Sequence, residues 1–384
     1  MSLLKLIVSD LHLADGTYIL ECFGDRQQAA FEGLLRAVSP KGGPLGQAET
    51  IELIINGDCF DFLVTRPYAE QRLIDEATAV EKIKKIIAAH SPFFTALCSF
   101  IDLTGRSITF TVGNHDLELF FAPVRELICS AITGSPGDPR VSFCLARCYR
   151  PLPDVHIEHG NHFDFWNHTV EGLWDEQGNP LTDNPDSIAI PIGSWFYEYA
   201  MYLMSLRYPY IDHFEPGLSH TRKVALLSLI DPDLVKEMAQ RSMGMMSQPR
   251  VPLANLQSGE ERNPVRLFEE AMLDFVALRA DLSSQRTGWH NPNGDAPASP
   301  QEMTEYMMVH EALSLPRAEA IAAICTPDAG QAGDEVTRGL HAVLAADSSL
   351  RYALAGHTHV ARIDPLNQGA QVYLNTASWA ERYA

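Results

Sequence analysis

Strand-like and helix-like patterns alternate along the first 165 residues. Runs of strand length, rich in apolar and β-branched residues, occur at 3–9, 50–55, 107–112 and 155–158. Between them, apolar residues recur at helical spacing over 27–38, 68–90 and 117–131. This alternation predicts an α/β fold in which helices pack on sheets.

The pattern changes after residue 165, where helical spacing becomes dominant. Helices are predicted at 195–206, 221–229, 234–243, 264–279, 301–313 and 335–345, and strand-like runs return at 351–355 and 371–374. We therefore predict an α/β core formed by residues 1–165 and 350–384. A mainly helical insertion, residues 166–349, interrupts this core and is a candidate lid, specificity pocket or homo-oligomer interface.

The charge and the cysteine content narrow the class of protein. The chain has 29 Lys and Arg against 49 Asp and Glu, a formal net charge of −20. Such a surface repels polyphosphate backbones, which argues against a general nucleic-acid-binding protein. The seven cysteines include no C-x-x-C pair, and no apolar run reaches 18 residues. We expect reduced thiols, no transmembrane segment and a cytoplasmic location.

Five short polar clusters each follow a predicted strand. They are Asp10-Leu11-His12, Gly57-Asp58-Cys59-Phe60-Asp61, Gly113-Asn114-His115-Asp116, His159-Gly160-Asn161 and Gly356-His357-Thr358-His359. Residues two apart on an extended chain point to the same side, so Asp10 and His12 could reach one ion, as could His357 and His359. Mixed carboxylate, imidazole and amide ligands suit Mn, Fe or Zn.

The number of candidate ligands exceeds what one ion would take from protein alone. The candidates are Asp10, His12, Asp58, Asn114, His159, His357 and His359. Two divalent metal ions that share a bridging carboxylate would use the whole set. Such a pair would also allow an acidic protein to hold an anionic, phosphorylated small-molecule or lipid substrate.

The order D-x-H, G-D-x-x-D, G-N-H-D, H-G and G-H-x-H resembles the calcineurin-like metallophosphoesterase family over residues 1–165 and 350–384. The resemblance implies a four-layer α/β/β/α sandwich with a dinuclear metal centre. It implies that one metal is held by Asp10, His12, Asp58 and His359. It implies that the other is held by Asp58, Asn114, His159 and His357.

The same resemblance implies the catalytic roles. A metal-bound hydroxide would be the nucleophile, and His115 would be the general acid that protonates the leaving oxygen. Asp61 would hydrogen-bond His115, whereas Asp116 would contact the metal ligands without binding a metal itself. Four further residues are candidate substrate contacts, namely His162, His168, Arg207 and His213.

Hydrolysis of phosphate mono- or diesters is the main functional prediction, and alternatives stay open. A UDP-diacylglucosamine-type pyrophosphohydrolase would use the aromatic segment 195–204 for acyl chains, although His115 stands where that branch is expected to have Arg. A catalytically inactive scaffold on the same fold would be a binding module instead. The net charge disfavours a nuclease, and Phe62-Leu63 replace the Arg-Gly expected of a Ser/Thr protein phosphatase.

Overall fold

A computed structural model describes most of the α/β part of the chain. The described stretches are 2–16, 22–40, 43–66, 73–164, 172–191, 229–238 and 335–379, with single positions at 167, 194, 204, 207, 208, 226, 227, 316 and 319. The described residues form a mixed α/β structure with a parallel sheet and several helices, as the sequence predicts.

The first sheet has four parallel strands in the order β1-β2-β4-β5. Its strands are β1 (Leu3–Val8), β2 (Thr50–Asn56), β4 (Arg106–Thr111) and β5 (Val141–Cys144). β2 is buried along all but its first residue, which explains its nearly continuous apolar sequence. Because the strands are parallel, the loops after β1, β2 and β4 emerge at one edge.

The second sheet has five strands in the order β10-β11-β9-β7-β6. They are β6 (Cys148–Leu152), β7 (Val155–Glu158), β9 (Tyr352–Ala355), β10 (Arg362–Leu366) and β11 (Gln371–Asn375). β7, β9 and β11 run parallel, whereas β6 and β10 are antiparallel edge strands. Ile54 of the first sheet packs with Ile157 and Leu354 of the second, so the two sheets face each other.

Five helices of at least eleven residues lie among the described stretches. They are α1 (Asp25–Ala37), α2 (Glu76–Ala89), α3 (Ser91–Ile101), α4 (Ala122–Thr133) and α5 (Glu335–Ala346). α3 packs on β4 of the first sheet. α5 buries Val336, Leu340 and Leu344 against Ala353 and Tyr373 of the second sheet.

Two predicted helices differ from the structure. Residues 73–75 of the predicted helix 68–90 form β3 (Leu73–Asp75), which pairs with β8 (Ser187–Ala189); Asp75 then caps α2. The predicted helix 117–131 is divided into a 3₁₀ turn at Leu117–Phe120 and α4, because Pro123 in the first turn of α4 has no N–H to continue a helix. The insertion helices predicted at 195–206, 264–279 and 301–313 lie outside the described residues, apart from Met204.

The chain forms two compact units. One comprises Met1–Trp195 and Ala332–Glu381, and the other Phe196–Gln331 and Arg382–Ala384. These bounds differ from the predicted insertion 166–349, because α5 is part of the core that covers the second sheet. In the second unit, the described residues 232–238 are helical. No helix within the described stretches is long and apolar enough to cross a membrane.

Candidate metal centre

The five predicted clusters follow five strand ends in the structure. β1, β2, β4, β7 and β9 end at Val8, Asn56, Thr111, Glu158 and Ala355. Backbone hydrogen bonds join the loops beyond them: the amides of Asp10 and His12 donate to the carbonyls of Gly57 and Asp58 at 3.2 and 2.9 Å. The amide of Gly356 donates to the carbonyl of His159 at 3.0 Å. Loops of both sheets therefore form one polar site.

The backbone at this site is strained. Eight non-glycine residues of the described chain have a positive φ, and five of them are Asp10, His12, Asp58, His357 and His359. A side chain in this left-handed region costs about 1–2 kcal/mol per residue. Strain of this kind concentrates at sites where side-chain direction has a function. Here it coincides with five of the seven predicted ligands.

Two glycines allow the backbone to approach these carboxylates. A Cβ on Gly113 would lie 2.1 Å from Asp58 Oδ1, and a Cβ on Gly356 would lie 2.2 Å from Asp10 Oδ2. Neither distance is compatible with a side chain, so both positions require glycine. The amides of His115 and His357 use this proximity and donate to Asp58 Oδ1 at 2.9 Å and Asp10 Oδ1 at 3.0 Å.

Asp10, His12 and His359 form the first group of potential ligands, with ligand atoms within 4.8 Å of one another. His359 Nε2 lies 3.3 Å from Asp10 Oδ1 and 3.0 Å from His12 Nε2. His12 Nδ1 lies 3.2 Å from a carboxylate oxygen of Asp61, to which it can only donate. The lone pair of His12 Nε2 is therefore directed towards His359 and available to a cation.

Asp58, His159 and His357 form the second group. Asp58 Oδ2 lies 3.0 Å from His159 Nε2 and 3.9 Å from His12 Nε2 of the first group. This oxygen is thus located between the two groups, where a bridging carboxylate would be. Asp58 Oδ1 is already engaged by the amide of His115, which fixes the orientation of the carboxylate.

Two buried polar atoms test whether a metal fits this arrangement. Asn114 Oδ1 and His159 Nε2 are buried and have no hydrogen-bond partner among the described residues. His159 Nδ1 lies 3.0 Å from the carbonyl oxygen of Asn56, which accepts its proton, so Nε2 faces Asp58 and is the nitrogen that can hold either a proton or a cation. A buried acceptor facing a carboxylate is costly unless a proton or cation lies between them. The donor set therefore fits divalent cations.

No family model matches the chain, and no curated protein is found to be similar to it.

His115 and Asp61 lie beside the first group and form a third His/Asp group with His12. His115 Nδ1 is 2.9 Å from Asp61 Oδ1, while the other Asp61 oxygen faces His12, so one carboxylate orients two imidazoles. The His115 side chain is 20% exposed, compared with 5% for His12. Burial alone would lower the pKa of His115, but the Asp61 and Asp58 carboxylates raise it to about 9. His115 can thus carry a proton at an accessible position.

The pKa values of the buried carboxylates Asp58 and Asp116 are shifted in opposite directions. Burial would raise the pKa of Asp58, but the imidazoles of His159, His115 and His12 hold it well below its ordinary value. Burial and the nearby Asp58 raise the pKa of Asp116 to about 7. Asp116 accepts hydrogen bonds from the amides of Gly113 and Cys59 at 2.7 and 2.9 Å. It therefore shapes the loops and lies outside the three His/Asp groups.

Two supporting residues were not among the predicted site residues. Asp164 Oδ2 lies 3.0 Å from His357 Nε2. Asn56 orients His159 through its carbonyl, and its side chain connects the carbonyl of Glu158 to the hydroxyl of Thr111. The only sequence signal for Asn56 is a polar residue at the last position of an apolar strand.

Of the four predicted substrate contacts, His162 and Arg207 are among the described residues. His162 lies 3.5 Å from Glu158 and packs on the ring of Phe163, with centroids 4.0 Å apart. Arg207 forms an ion pair of 3.2 Å with Asp231 in the second unit. His168 and His213 lie outside the described residues.

Proposed function

We propose that the chain is a metal-dependent hydrolase of phosphate mono- or diesters. The observation that carries the proposal is the convergence of two His/Asp groups on the Asp58 carboxylate. Asp10, His12, Asp58 and His359 would hold one divalent ion. Asp58, Asn114, His159 and His357 would hold the other. Mn, Fe and Zn suit this mixture of oxygen and nitrogen ligands.

The two ions would supply positive charge for a phosphoryl group and lower the pKa of a water molecule. The protein has a formal net charge of −20, so an anionic substrate needs a local reversal of charge. The buried carboxylates of Asp10 and Asp58 favour cations at this place. Phosphoester binding at the strand ends is therefore compatible with an acidic surface.

His115 is the proposed general acid. Its Nδ1 is engaged by Asp61, so Nε2 is the atom able to transfer a proton to the leaving oxygen of the ester. Asp61 holds the ring in one orientation and stabilises its cationic form, since the two lie 2.9 Å apart. Asp61 is thus a positioning residue for both His115 and His12.

The fold is compatible with the proposal. α3 packs on the first sheet, the two sheets share apolar contacts, and α5 covers the second sheet. These contacts support the four-layer α/β/β/α arrangement that the motif order implies. Loops at the carboxyl ends of parallel strands are a common location of sites in α/β proteins.

The proposal is tested with chelator-treated protein reloaded with Mn, Fe, Co, Ni or Zn. We expect turnover of an aryl phosphate monoester, a bis-aryl phosphate diester or both. The variant His115→Asn should bind metal as the wild type does but lose about 10²–10⁴-fold in kcat. His341→Asn is the matched control, because His341 is paired with Asp364 and belongs to none of the three His/Asp groups.

Different results would contradict the proposed hydrolase activity and the proposed role of His115. If wild-type protein binds metal but hydrolyses neither ester with any of the five metals, the hydrolase proposal is wrong. If His115→Asn retains the wild-type kcat, the hydrolase survives but His115 is not its general acid. A metal content near zero after purification without chelator would instead favour the inactive scaffold.

A further inference from the structure

A second polar cluster lies on the edge of the second sheet. Cys148 begins the edge strand β6 and is paired in register with Glu158 of β7. His156 and Glu158 are two apart on β7, so they point to the same face of the sheet. Ile157 between them points the other way, into the contact between the sheets. The strand pairing therefore brings a thiol, an imidazole and a carboxylate to one face.

These three side chains contact one another in the order Cys148, His156 and Glu158. Cys148 Sγ lies 3.1 Å from His156 Nδ1, and His156 Nε2 lies 3.2 Å from Glu158 Oε1. The second distance is that of an ion pair, although its alignment is not that of a hydrogen bond. His162 Nδ1 lies 3.5 Å from the other oxygen of Glu158. A thiol beside an imidazole that is itself paired with a carboxylate is typical of an activated cysteine.

The imidazole beside the thiol is set up to be a cation. Burial would lower the pKa of His156, but Cys148 and Glu158 raise it to about 10. Glu158 and His156 are buried, whereas Cys148 is half-buried and lies on an edge strand. The imidazole is thus enclosed, and the thiol belongs to a residue that is partly exposed.

Cys144 provides a comparison within the same region. It is also half-buried, but its sulfur faces the carbonyls of Ala146 and Cys148 at 3.9 Å, and burial raises its pKa. Cys98 likewise is half-buried, and its sulfur lies 3.9 Å from Asp102. Carbonyls and carboxylates disfavour a thiolate, whereas an imidazole favours it.

We propose that Cys148 is a nucleophilic thiol that forms mixed disulfides with low-molecular-weight disulfides. Cys148 releases its proton to solvent, the cationic His156 stabilises the thiolate, and the sulfur attacks one sulfur of the small disulfide. A new S–S bond forms, the original S–S bond breaks, and the other half leaves as a thiolate. Cys148 is oxidised and the departing half is reduced. This proposal does not rest on the proposed phosphoester hydrolysis.

The first test compares cysteines within the wild-type chain. The native full-length protein is treated with limiting iodoacetamide or with oxidised glutathione, and the modified peptides are quantified by mass spectrometry over time. We expect Cys148 to react with both reagents at least about 10-fold faster than Cys144 and Cys98. Equal rates for Cys148 and Cys144 would overturn the proposal, and this comparison needs no variant.

The second test removes the imidazole. His156→Asn should slow the modification of Cys148 about 10-fold while leaving the rate at Cys98 unchanged. The Cys98 rate also reports whether the variant is folded, since unfolding would accelerate it. An unchanged rate at Cys148 in a folded variant would show that His156 does not activate the thiol, and the proposal would fail.

Discussion

At the scale of single residues, the candidate site depends on neighbouring groups that orient the candidate ligand histidines. His12 is oriented by Asp61, His159 by the carbonyl of Asn56, and His357 by Asp164. A carboxylate or carbonyl on one ring nitrogen fixes the tautomer and makes the other nitrogen a better ligand. Among these partners, Asp164 is the one whose replacement should disturb the fold least, because its side chain is partly exposed.

Asp164→Asn should weaken binding of one of the two metals about 10–100-fold without unfolding the protein, because His357 loses the carboxylate that orients its ring. Metal titration by calorimetry measures the two affinities. Asp364→Asn is a matched control, since Asp364 also lies 3.0 Å from a histidine, His341, but in none of the three His/Asp groups. Equal metal affinities in the two variants would contradict the role given to Asp164.

At the scale of elements, the strands that were predicted are placed accurately, whereas β3, β5, β6, β8 and β10 were not predicted. The strands predicted at 3–9, 50–55 and 107–112 are present within one residue at each end. α3 was not predicted, although its buried Phe93, Leu97 and Phe100 recur at helical spacing and Pro92 lies in its first turn. β3 was missed because only its partner β8, more than 100 residues away, makes it a strand.

Arg106, at the start of β4, joins several elements. It is 5% exposed, and its guanidinium donates to the carbonyls of Ala48, Thr104, Val38 and Gly46 at 3.2–3.5 Å. Arg106→Met should lower the free energy of unfolding by about 2–4 kcal/mol, because it leaves buried carbonyls without donors. Urea denaturation measures this change.

The control for that variant is Arg150→Met. Arg150 has a side chain that is 47% exposed and a single ion pair of 3.4 Å with Asp347. Its loss should change the free energy of unfolding by less than about 0.5 kcal/mol. If the two variants are equally stable, the carbonyl cluster around Arg106 does not stabilise the loops before β4.

At the scale of the whole molecule, the candidate metal centre connects the two sheets. Asp10 and Asp58 come from the first sheet, whereas His159, His357 and His359 come from the second. Without cations, buried carboxylates and imidazoles must compensate one another across this boundary. Cations bound there would therefore stabilise the folded state more than the unfolded chain, in which these residues are far apart.

Addition of Mn²⁺ to chelator-treated protein should raise the Tm by roughly 5–10 °C at about 100 times the dissociation constant, which corresponds to about 2.7 kcal/mol. Asp58→Asn should lose most of this shift, because the carboxylate between the two groups is removed. Differential scanning calorimetry measures both effects. A wild-type Tm that does not respond to any divalent cation would rule out a metal centre that connects the sheets.

The sequence by itself determined the α/β class, the position of each polar cluster after a strand and the chemical types of the candidate ligands. These properties are local, because apolar periodicity and neighbouring residues within a cluster carry them. Only the tertiary structure decided which side chains meet: His12 with Asp61, His357 with Asp164, and Cys148 with His156 across a strand pair. His12 and His359 are 347 positions apart, yet their Nε2 atoms lie 3.0 Å from each other. Sheet order, strand direction and register create such contacts, and no local pattern in the chain encodes them.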